Sequence, residues 1–248
     1  MNLKNKTALI TGTNRGIGKE IVRRFAEEGA NVFAHARNEN DEHKIFCGEL
    51  SSKHNVSVCP VYFDANNKEQ IKDEIGRLYK NNTSIDILVN NISIMPKYKL
   101  LQMTSIDEIK NTFEINYFSQ IYITQLVSRI MKKNKSGSVI NISSVAGIDG
   151  NGELSYVSSK AAIIAATKQM AIELGEHNIR VNSIAPGITD TDMGNSMSKD
   201  IIDYTLSHQI INHKATTTDI ANMAVFLGSD LSKHITGQII RVDGGMLK

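Results

Sequence analysis

The sequence predicts an α/β fold with a parallel sheet and helices on both of its faces. Seven short apolar runs alternate with amphipathic stretches along the chain, and this alternation is typical of a doubly wound parallel sheet. The length of 248 residues suits one α/β domain with a single well-formed core. Because no repeat or low-complexity linker interrupts the pattern, we expect residues 1–248 to form a single domain.

The elements follow one another in a regular order. The apolar runs predict seven strands, at residues 7–10, 32–36, 56–63, 85–89, 138–142, 181–184 and 239–242. The amphipathic stretches predict helices at residues 17–28, 68–78, 106–131, 156–174 and 218–227. Gly29 lies just after the first helix and is expected to form its C-terminal cap, because glycine readily adopts the left-handed conformation.

The charge balance argues against several classes of partner. The chain has 28 basic and 26 acidic residues, a net charge of +2, and the charges are interspersed. We therefore expect no nucleic-acid partner and no membrane surface, and the strand-sized apolar runs predict no transmembrane helix. The first strand starts too soon after Met1 for a signal peptide. Cys47 and Cys59 have no metal-binding or CxxC spacing. A cytoplasmic protein without a metal site is expected.

Distinctive motifs follow four of the predicted strands. Gly12 follows the first strand, Asn90 the fourth, Ser144 the fifth, and Pro186-Gly187 the sixth. Open parallel sheets bind ligands beyond the carboxyl ends of their strands, near the point where the strand order reverses. The motifs therefore predict one ligand site at that edge of the sheet.

The first motif is a glycine-rich segment between a strand and a helix. Glycine permits a tight turn and lets a pyrophosphate approach the backbone, where the helix amino terminus favours negative charge. The spacing is Gly-x-x-x-Gly-x-Gly rather than the usual Gly-x-Gly-x-x-Gly, so a glycine turn that binds nothing is the alternative. We predict that the segment binds a dinucleotide through Gly12, Asn14, Arg15, Gly16, Ile17 and Gly18.

The end of the second strand is where the choice of dinucleotide should be made. An NAD-binding protein usually places a carboxylate there, whereas Arg accommodates a 2′-phosphate. This sequence has Ala36 in the acid position, Arg37 next to it, and Arg15 within reach of the same phosphate. The guanidinium groups predict a preference for NADP(H), with NAD(H) as the other cofactor; the alternative is that both are solvated surface groups. Asp64, after the third strand, could accept from the adenine amino group or cap the next helix.

A second motif combines a phenol with an ammonium group. Tyr156 and Lys160 are four residues apart and so share one face of a helix. A Tyr with an ordinary pKa of about 10 transfers protons poorly at neutral pH, and a neighbouring cation lowers that pKa. With Ser144 twelve residues before Tyr156, the trio predicts proton transfer to a carbonyl oxygen or from an alcohol. Taken alone, Tyr156 would more often be a packing residue and Lys160 a solvated one.

As a set, these motifs resemble the short-chain dehydrogenase/reductase family. The resemblance runs from about Lys6 to the C-terminus, and within the family it is closest to bacterial 3-oxoacyl-(acyl carrier protein) reductases. It implies a Rossmann-like seven-stranded sheet, NAD(P) binding, a Ser-Tyr-Lys-Asn tetrad and usually a homotetramer. The resemblance rests on residues 11–18, Asn90-Asn91, Asn116, residues 140–147, Tyr156, Lys160, residues 186–193 and residues 236–246.

The resemblance also implies a role for each catalytic residue. Tyr156 would be the general acid in reduction, and Lys160 would lower its pKa and hold the nicotinamide ribose. Ser144 would hydrogen-bond the substrate carbonyl, and Asn116 would steady a helix and a water of the proton relay. A purely structural Asn116 is the alternative.

Further cofactor contacts follow from the same resemblance. Asn90 would close the adenosine side of the site. Thr191 and the backbone of Pro186-Gly187 would approach the nicotinamide carboxamide. Residues 194–213, which mix polar and apolar side chains, are expected to form a lid over the substrate.

Three departures from the family pattern stand out. Ile92-Ser93 replaces the usual Ala-Gly after the Asn pair, which could tighten or shift the adenosine site. The separation of Ser144 from Tyr156 is one residue shorter than expected, and Ser143 would restore it; the local motif favours Ser144.

The third departure concerns a basic pair that docks acidic acyl carrier protein in the reductases resembled. Lys135 and His177 occupy the matching places, so one position keeps its cation and the other is mostly neutral at pH 7. Lys135 could instead belong to the basic end of a helix, whose carboxyl terminus attracts positive charge.

Three functions are weighed on these grounds. The first is an NADPH-dependent carbonyl reductase acting on 3-oxoacyl thioesters, with acyl carrier protein as a candidate partner. The second is a dehydrogenase or reductase of a free sugar, polyol or other small alcohol. The third is a non-catalytic NADP-binding protein, against which the intact Tyr and Lys argue. A homotetramer would use helices 106–131 and 156–174 for one interface and residues 237–248 for a second.

Overall fold

Seven parallel strands form the centre of the protein. The computed structural model describes residues 1–80 and 84–245. The strands lie in the order β3-β2-β1-β4-β5-β6-β7, and every neighbouring pair is parallel. They are β1 Thr7–Ile10, β2 Asn31–Ala36, β3 Val58–Tyr62, β4 Ile87–Asn90, β5 Gly137–Ile142, β6 Ile179–Pro186 and β7 Ile239–Val242. This architecture confirms the predicted doubly wound seven-stranded sheet.

Helices cover both faces of the sheet. They are α1 Gly16–Glu27, α2 Asp41–His54, α3 Lys68–Lys80, α4 Ile106–Phe113, α5 Ser119–Asn134, α6 Ala146–Asp149, α7 Leu154–Gly175, α8 Asp192–Asn195, α9 Lys199–Ser207 and α10 Thr217–Gly228. Short 3₁₀ turns lie at Leu101–Met103 and Asp230–Ser232, and a π-helical turn at Glu114–Phe118 joins α4 to α5.

Each face of the sheet has its own hydrophobic core. On one face, α1, α2 and α10 pack with the side chains of Ala8 and Ile10; on the other, α3, α5 and α7 pack with Leu9. Successive side chains of a strand point to opposite faces, so burial on both faces requires the nearly continuous apolar runs seen in the sequence. Gly29 has a φ of +85°, which fits its predicted place after the first helix.

The strand order reverses between β1 and β4. From β1 the chain proceeds outwards to β2 and β3, then returns to place β4 on the other side of β1. The loops after β1 and β4 therefore separate and leave a crevice at the carboxyl edge of the sheet. The motifs after β1, β4, β5 and β6 all border that edge.

The short helices α6, α8 and α9 were not predicted, and the longer helices differ from the prediction in two places. The predicted helix at residues 106–131 is divided by the π turn at Glu114–Phe118. Helix α2, at Asp41–His54, has no counterpart in the prediction. Its buried side chains are Phe46, Cys47, Leu50 and His43, and histidine is a polar residue that an apolar periodicity does not count.

Two further predictions concern the surface of the chain. In the described ranges, 1–80 and 84–245, no helix is both long and apolar enough to cross a membrane. The proposed interface segment 237–248 is described only to residue 245, so its last three residues lie outside the described part of the chain.

Candidate active site

The glycine-rich loop after β1 has little space for side chains. Gly12 and Gly16 have φ values of +70° and +58°, in the left-handed region that favours glycine. A Cβ atom at Gly18 would lie 2.2 Å from the carbonyl oxygen of Gly12. The amide of Asn91 fixes this turn by donating to the carbonyl oxygens of Thr11 and Gly12, at 2.9 and 3.0 Å. The loop is thus a tight, backbone-lined turn at the amino terminus of α1.

Both predicted phosphate-binding Arg side chains are paired with carboxylates. Arg37 Nη2 lies 2.6 Å from Asp64 Oδ2, and Arg15 Nη1 lies 3.3 Å from Asp192 Oδ2. Each guanidinium thus has its own carboxylate partner, Asp64 for Arg37 and Asp192 for Arg15. The Arg side chains are 68% and 81% exposed, and exposed pairs of this kind are weak enough to rearrange when a ligand binds.

Asp64 does not cap α3, which was one of its two predicted roles. The N-cap is Asn67, whose Oδ1 accepts from the backbone of Gln70 at 3.0 Å. Asp64 Oδ1 instead accepts from the Asn66 N–H at 2.9 Å. Burial alone would raise the pKa of Asp64, but the bonds from Asn66 and Arg37 lower it overall. Asp64 is therefore a carboxylate that anchors Arg37.

A cavity of about 610 Å³ opens beside Arg37. The guanidinium of Arg37 shares this cavity with two carboxylates, because Asp41 and Glu42 at the start of α2 also border it. It is lined by Asn14, Arg37, Asn38, Asn40, Asp41 and Glu42. The cavity lies between the glycine-rich loop and the end of β2, at the end of the strands where open parallel sheets bind ligands.

Ser144, Tyr156 and Lys160 converge at the carboxyl end of β5. Ser144 follows that strand, and the first turn of α7 brings Tyr156 into hydrogen-bond contact with the Ser144 side chain. Lys160 is 1% exposed, and its Nζ donates to the Ile142 carbonyl oxygen at 2.9 Å. Glu153 caps α7 by accepting from the Tyr156 backbone N–H at 2.9 Å, a positioning contact that no sequence motif indicates.

Burial controls the protonation of this pair. Burial raises the pKa of Tyr156 above its usual value of 10.0, and the Ser144 hydrogen bond offsets only part of that effect. Burial also lowers the pKa of Lys160 from 10.5 to about 7. The pKa of Tyr156 thus moves in the direction opposite to the one expected from the sequence, because desolvation of the phenolate outweighs the hydrogen bond from Ser144.

Ser143 and Ser144 differ clearly in their surroundings. The Ser143 side chain is buried between β5 and β6, where its Oγ donates to the Ile184 carbonyl oxygen at 3.1 Å and lies 2.6 Å from Ser183 Oγ. Ser144 Oγ accepts from the Ala146 N–H at 3.1 Å and faces Tyr156. The geometry favours Ser144 as the residue that meets a substrate.

Asn116 lies in the π turn and ties two parts of the site together. Its Oδ1 accepts from the Ile94 N–H at 2.8 Å, and its Nδ2 donates to the Ile94 carbonyl at 2.9 Å and to Ser159 Oγ at 3.1 Å. Ser159 Oγ in turn donates to the Tyr156 carbonyl at 2.8 Å. Asn116 therefore connects the loop after β4 with the helix that carries Tyr156.

The side chain of Asn90 points into the sheet. It is fully buried, and its Nδ2 donates to Thr124 Oγ1 and Asn141 Oδ1 at 2.8 and 2.9 Å. Only the backbone of Asn90 is left for the predicted contact with adenosine. Ser93 nearby has a buried Oγ for which the described residues offer no hydrogen-bond partner.

The segment after β6 passes close to the glycine-rich loop. A Cβ on Gly16 would lie 3.5 Å from the methyl group of Thr191, and Thr191 caps the short helix α8 by accepting from Gly194 at 3.1 Å. A Cβ on Gly187 would lie 2.8 Å from Asp243. Thr191 thus lies against the glycine-rich loop, and Gly187 lies against the segment after β7.

Lys135 and His177 lie near the amino-terminal ends of the strands, whereas the candidate active site lies beyond their carboxyl ends. Lys135 ends α5 just before β5, and His177 stands between α7 and β6. Both positions precede their strands, whereas Tyr156 lies beyond a strand's carboxyl end. His177 Nε2 also lies 3.1 Å from Glu176 Oε1. Within one chain, the two residues do not border the candidate active site.

Comparison with known proteins agrees with this geometry. A family model described as enoyl-(acyl carrier protein) reductase matches residues 12–247. The 3-oxoacyl-(acyl carrier protein) reductase of Staphylococcus epidermidis is 36% identical over 98% of this chain and 99% of its own length.

Two crystal structures have the same fold. A 3-oxoacyl-(acyl carrier protein) reductase with bound NAD from Brucella melitensis aligns with a TM-score of 0.90 and 27% identity, over 100% of this chain and 93% of that one. A putative gluconate dehydrogenase from Agrobacterium tumefaciens aligns with a TM-score of 0.93 and 26% identity, over 99% and 97%.

The fold, the site and these relatives define an NAD(P)-dependent oxidoreductase that acts on carbonyl or hydroxyl groups. Within that class, the family is shown by the model that matches residues 12–247 and by the relative that is 36% identical over 98% of this chain. The chain belongs to the short-chain dehydrogenase/reductase family.

Proposed function

We propose that the protein reduces a 3-oxoacyl thioester to the 3-hydroxyacyl form, with NADPH as the preferred hydride donor. The convergence of Ser144, Tyr156 and Lys160 beside the glycine-rich loop is the observation that supports carbonyl reduction most strongly. The names of the relatives support the thioester as substrate.

The described residues fit a dinucleotide at this edge. The absence of space for a Cβ at Gly18 and the amino terminus of α1 provide a close approach for pyrophosphate. The 610 Å³ cavity beside Arg37 would hold the adenosine end. Tyr156 and Lys160 would hold the nicotinamide ribose, with Thr191 near the carboxamide. When bound, NADPH supplies the hydride that adds to the carbonyl carbon.

The chain's own groups would then manage the charge on the substrate oxygen. As the carbonyl carbon accepts hydride, an electron pair moves onto the oxygen, which needs hydrogen-bond donors and one proton. Ser144 Oγ would donate to this oxygen, and Tyr156 would transfer its phenolic proton to form the alcohol. The raised pKa of Tyr156 keeps the phenol protonated at neutral pH, which is the form a general acid requires.

The preference for NADPH is inferred from Arg15 and Arg37. A 2′-phosphate in the cavity would draw Arg37 from Asp64 and Arg15 from Asp192, exchanging two exposed ion pairs for bonds to a doubly charged ligand. Asp41 and Glu42 on the cavity wall oppose this and favour NADH. We infer that Arg37, which lines the cavity, prevails over these carboxylates, with help from Arg15, the loop residue next to Asn14 on the cavity wall.

Steady-state kinetics with the two cofactors tests this preference. With a saturating ketone substrate, kcat/KM should be higher for NADPH, and Arg37→Asp should reduce the difference. Arg77→Asp, on the exposed face of α3, is the matched control and should leave the ratio unchanged. Equal kcat/KM values in the unaltered protein would refute the NADPH preference.

A free sugar or polyol is the second candidate substrate, since the structure also aligns with a putative gluconate dehydrogenase. The lid helix α9 favours the thioester, because Ile201 and Tyr204 expose 47% and 61% of their surface there. The decisive test is acetoacetyl-CoA against gluconate and 5-ketogluconate, each with both cofactors and followed at the nicotinamide absorbance. Turnover of the sugar acids alone would overturn the thioester proposal.

We also propose a homotetramer. Large apolar side chains are exposed on α4 and α7, notably Ile106 at 65% and Ile172 at 74%, and a self-association interface would cover such groups. Light scattering at micromolar concentration should give about four times the mass of 27.4 kDa. A monomer there would refute the proposal.

Acyl carrier protein remains a proposed partner through Lys135 and His177. Lys135→Glu should raise KM for an acyl-carrier substrate without changing KM for acetoacetyl-CoA. Equal effects on both substrates, or none, would argue against docking at this edge.

A further inference from the structure

A buried histidine lies directly beneath the glycine-rich loop. His35, on β2, is 2% exposed, and its ring stacks on that of Phe63 with centroids 3.7 Å apart. The backbone N–H of Gly12 donates to His35 Nδ1 at 3.1 Å. On the other side of the ring, Nε2 lies 2.9 Å from the carbonyl oxygen of Phe63. Both ring nitrogens therefore contact backbone groups of neighbouring strand ends.

These contacts determine the tautomer of His35. A backbone N–H can only donate, so Nδ1 must carry a lone pair; a carbonyl oxygen can only accept, so Nε2 must carry the proton. The ring is thus neutral, with hydrogen on Nε2. Burial lowers the pKa of His35 to about 4, which agrees with this assignment. A protonated ring would set an N–H against the Gly12 N–H.

The same histidine joins three segments that border the cofactor site. Gly12 belongs to the turn after β1, and Phe63 directly precedes Asp64, the partner of Arg37. The carbonyl oxygen of His35 also accepts from the Thr13 N–H at 2.8 Å. One side chain on β2 is thus bonded to the pyrophosphate turn and to the end of the strand beside the adenosine cavity.

A second histidine strengthens the link to the loop. Thr13 Oγ1 donates to the His35 carbonyl at 3.1 Å, so it must accept from His43 Nε2, which lies 2.8 Å away. His43 belongs to α2, the helix whose first residues line the adenosine cavity. The two loop residues Gly12 and Thr13 are therefore held by two histidines from different elements.

We propose that His35 is a positioning residue for the dinucleotide: its unprotonated Nδ1 fixes the Gly12 peptide in the conformation that receives the pyrophosphate. The proposal rests on the proposed cofactor-dependent function. Gly12 has a φ of +70°. Asn91 binds the Thr11 carbonyl side of this peptide, and His35 Nδ1 is the acceptor on its N–H side. Without the acceptor, a partly buried N–H loses its protein partner, and the binding-competent turn becomes less populated.

Two substitutions separate the two ring nitrogens. The side-chain oxygen in His35→Asn can take the place of Nδ1 as acceptor for Gly12. His35→Gln reaches further and can replace Nε2 as donor to Phe63, but leaves the Gly12 N–H without its acceptor. His234→Gln is the matched control, because His234 is exposed and precedes β7 at the opposite edge of the sheet.

The measurement is the Kd for NADPH, obtained by fluorescence titration, together with kcat and cofactor KM. His35→Gln should raise Kd and cofactor KM at least about tenfold with kcat at saturation little changed. His35→Asn should stay within a few-fold of the unaltered protein, and His234→Gln should match it. Equal weakening in Asn and Gln variants, or none in Gln, would overturn the proposal.

The unaltered protein provides a test that does not depend on how the variants fold. Nitrogen-15 NMR of the His35 ring should show the neutral tautomer with hydrogen on Nε2, and the Gly12 amide should exchange slowly with solvent. The Nδ1–H tautomer or a rapidly exchanging Gly12 amide would refute the inference. Failure of the unaltered protein to bind NADPH or NADH would instead refute the proposed function, and this inference with it.

Discussion

The Nζ atom of Lys160 lies 5.6 Å from the centroid of the Tyr156 ring and is anchored to the carbonyl oxygen of Ile142. The ammonium group is therefore fixed by the last residue of β5 rather than by the phenol. This arrangement leaves its remaining hydrogens for a ribose and couples the position of the charge to the sheet. Removal of this buried amine would therefore affect both cofactor binding and proton transfer.

Lys160→Ala should lower kcat and raise the cofactor KM together. The first effect comes from loss of the positive charge near Tyr156, and the second from loss of the predicted bond to the nicotinamide ribose. Steady-state kinetics over a range of NADPH concentrations will show both. A change in kcat alone would mean that Lys160 does not hold the cofactor.

Lys160 should also make stability depend on pH in the alkaline range. Burial lowers its pKa from 10.5 to about 7, so between these values the unfolded chain binds the proton and the folded protein does not. The free energy of unfolding should therefore rise as pH increases from about 7 to 10. Urea denaturation of the unaltered protein and Lys160→Met should show this rise only in the former; parallel curves would contradict it.

Tyr156→Phe should remove nearly all turnover and leave NADPH affinity within a few-fold. The ring still packs, but no proton reaches the developing alkoxide, and loss of a general acid typically costs about 10²–10⁴-fold in rate. Single-turnover kinetics and fluorescence titration measure the two quantities separately. Full activity in this variant would eliminate the proposed chemistry.

Ser144→Ala should mainly reduce activity, whereas Ser143→Ala should mainly reduce stability. Ser144→Ala should lower kcat with little change in cofactor binding, because its hydroxyl faces Tyr156. Ser143→Ala should retain most activity but lose about 0.5–1.5 kcal/mol of stability, because it removes a buried bond at 2.6 Å while Ser183 Oγ keeps the Asn141 carbonyl as acceptor. Activity assays and thermal denaturation of both variants provide the comparison. A crippled Ser143 variant with a mild Ser144 variant would reverse the assignment.

His35 should make the protein less stable in mild acid. The pKa of His35 is lowered from 6.5 to about 4. Between pH 4 and 6.5 the unfolded chain therefore binds a proton at this residue, and the folded protein does not. The free energy of unfolding should fall as pH drops from about 6.5 to 4, by on the order of 3 kcal/mol. His35→Asn should flatten this dependence in urea denaturation. An unchanged slope would show that another group controls acid stability.

The sheet was predictable because its strands are buried on both faces. Such burial demands continuous apolar runs, and all seven are visible in the sequence. Helix α2 was not predicted, because its buried face includes His43, whose role depends on a hydrogen bond to Thr13 in a distant segment. Tertiary contacts of this kind leave no periodic signal.

The sequence predicts which residues form the candidate site better than it predicts their pKa shifts and ion pairs. The spacing of Tyr156 and Lys160 places both on one helical face, which the structure shows. The direction of the Tyr156 pKa shift could not be read from spacing, because it depends on how deeply the phenol is buried. The pairing of Arg37 with Asp64 was missed for a similar reason, since the two are 27 residues apart and meet only through strand pairing.

The π turn at Glu114–Phe118 makes the number of residues between α4 and α5 important for the candidate site. A π turn contains more residues per turn than an α-helix, and Asn116 reaches Ile94 and Ser159 from within it. Deleting one residue here would allow α4 and α5 to merge into a regular helix that still covers the sheet. We expect such a chain to keep its sheet and to lose the contacts of Asn116 with Ile94 and Ser159, so the number of residues in this turn sets the spacing of the site.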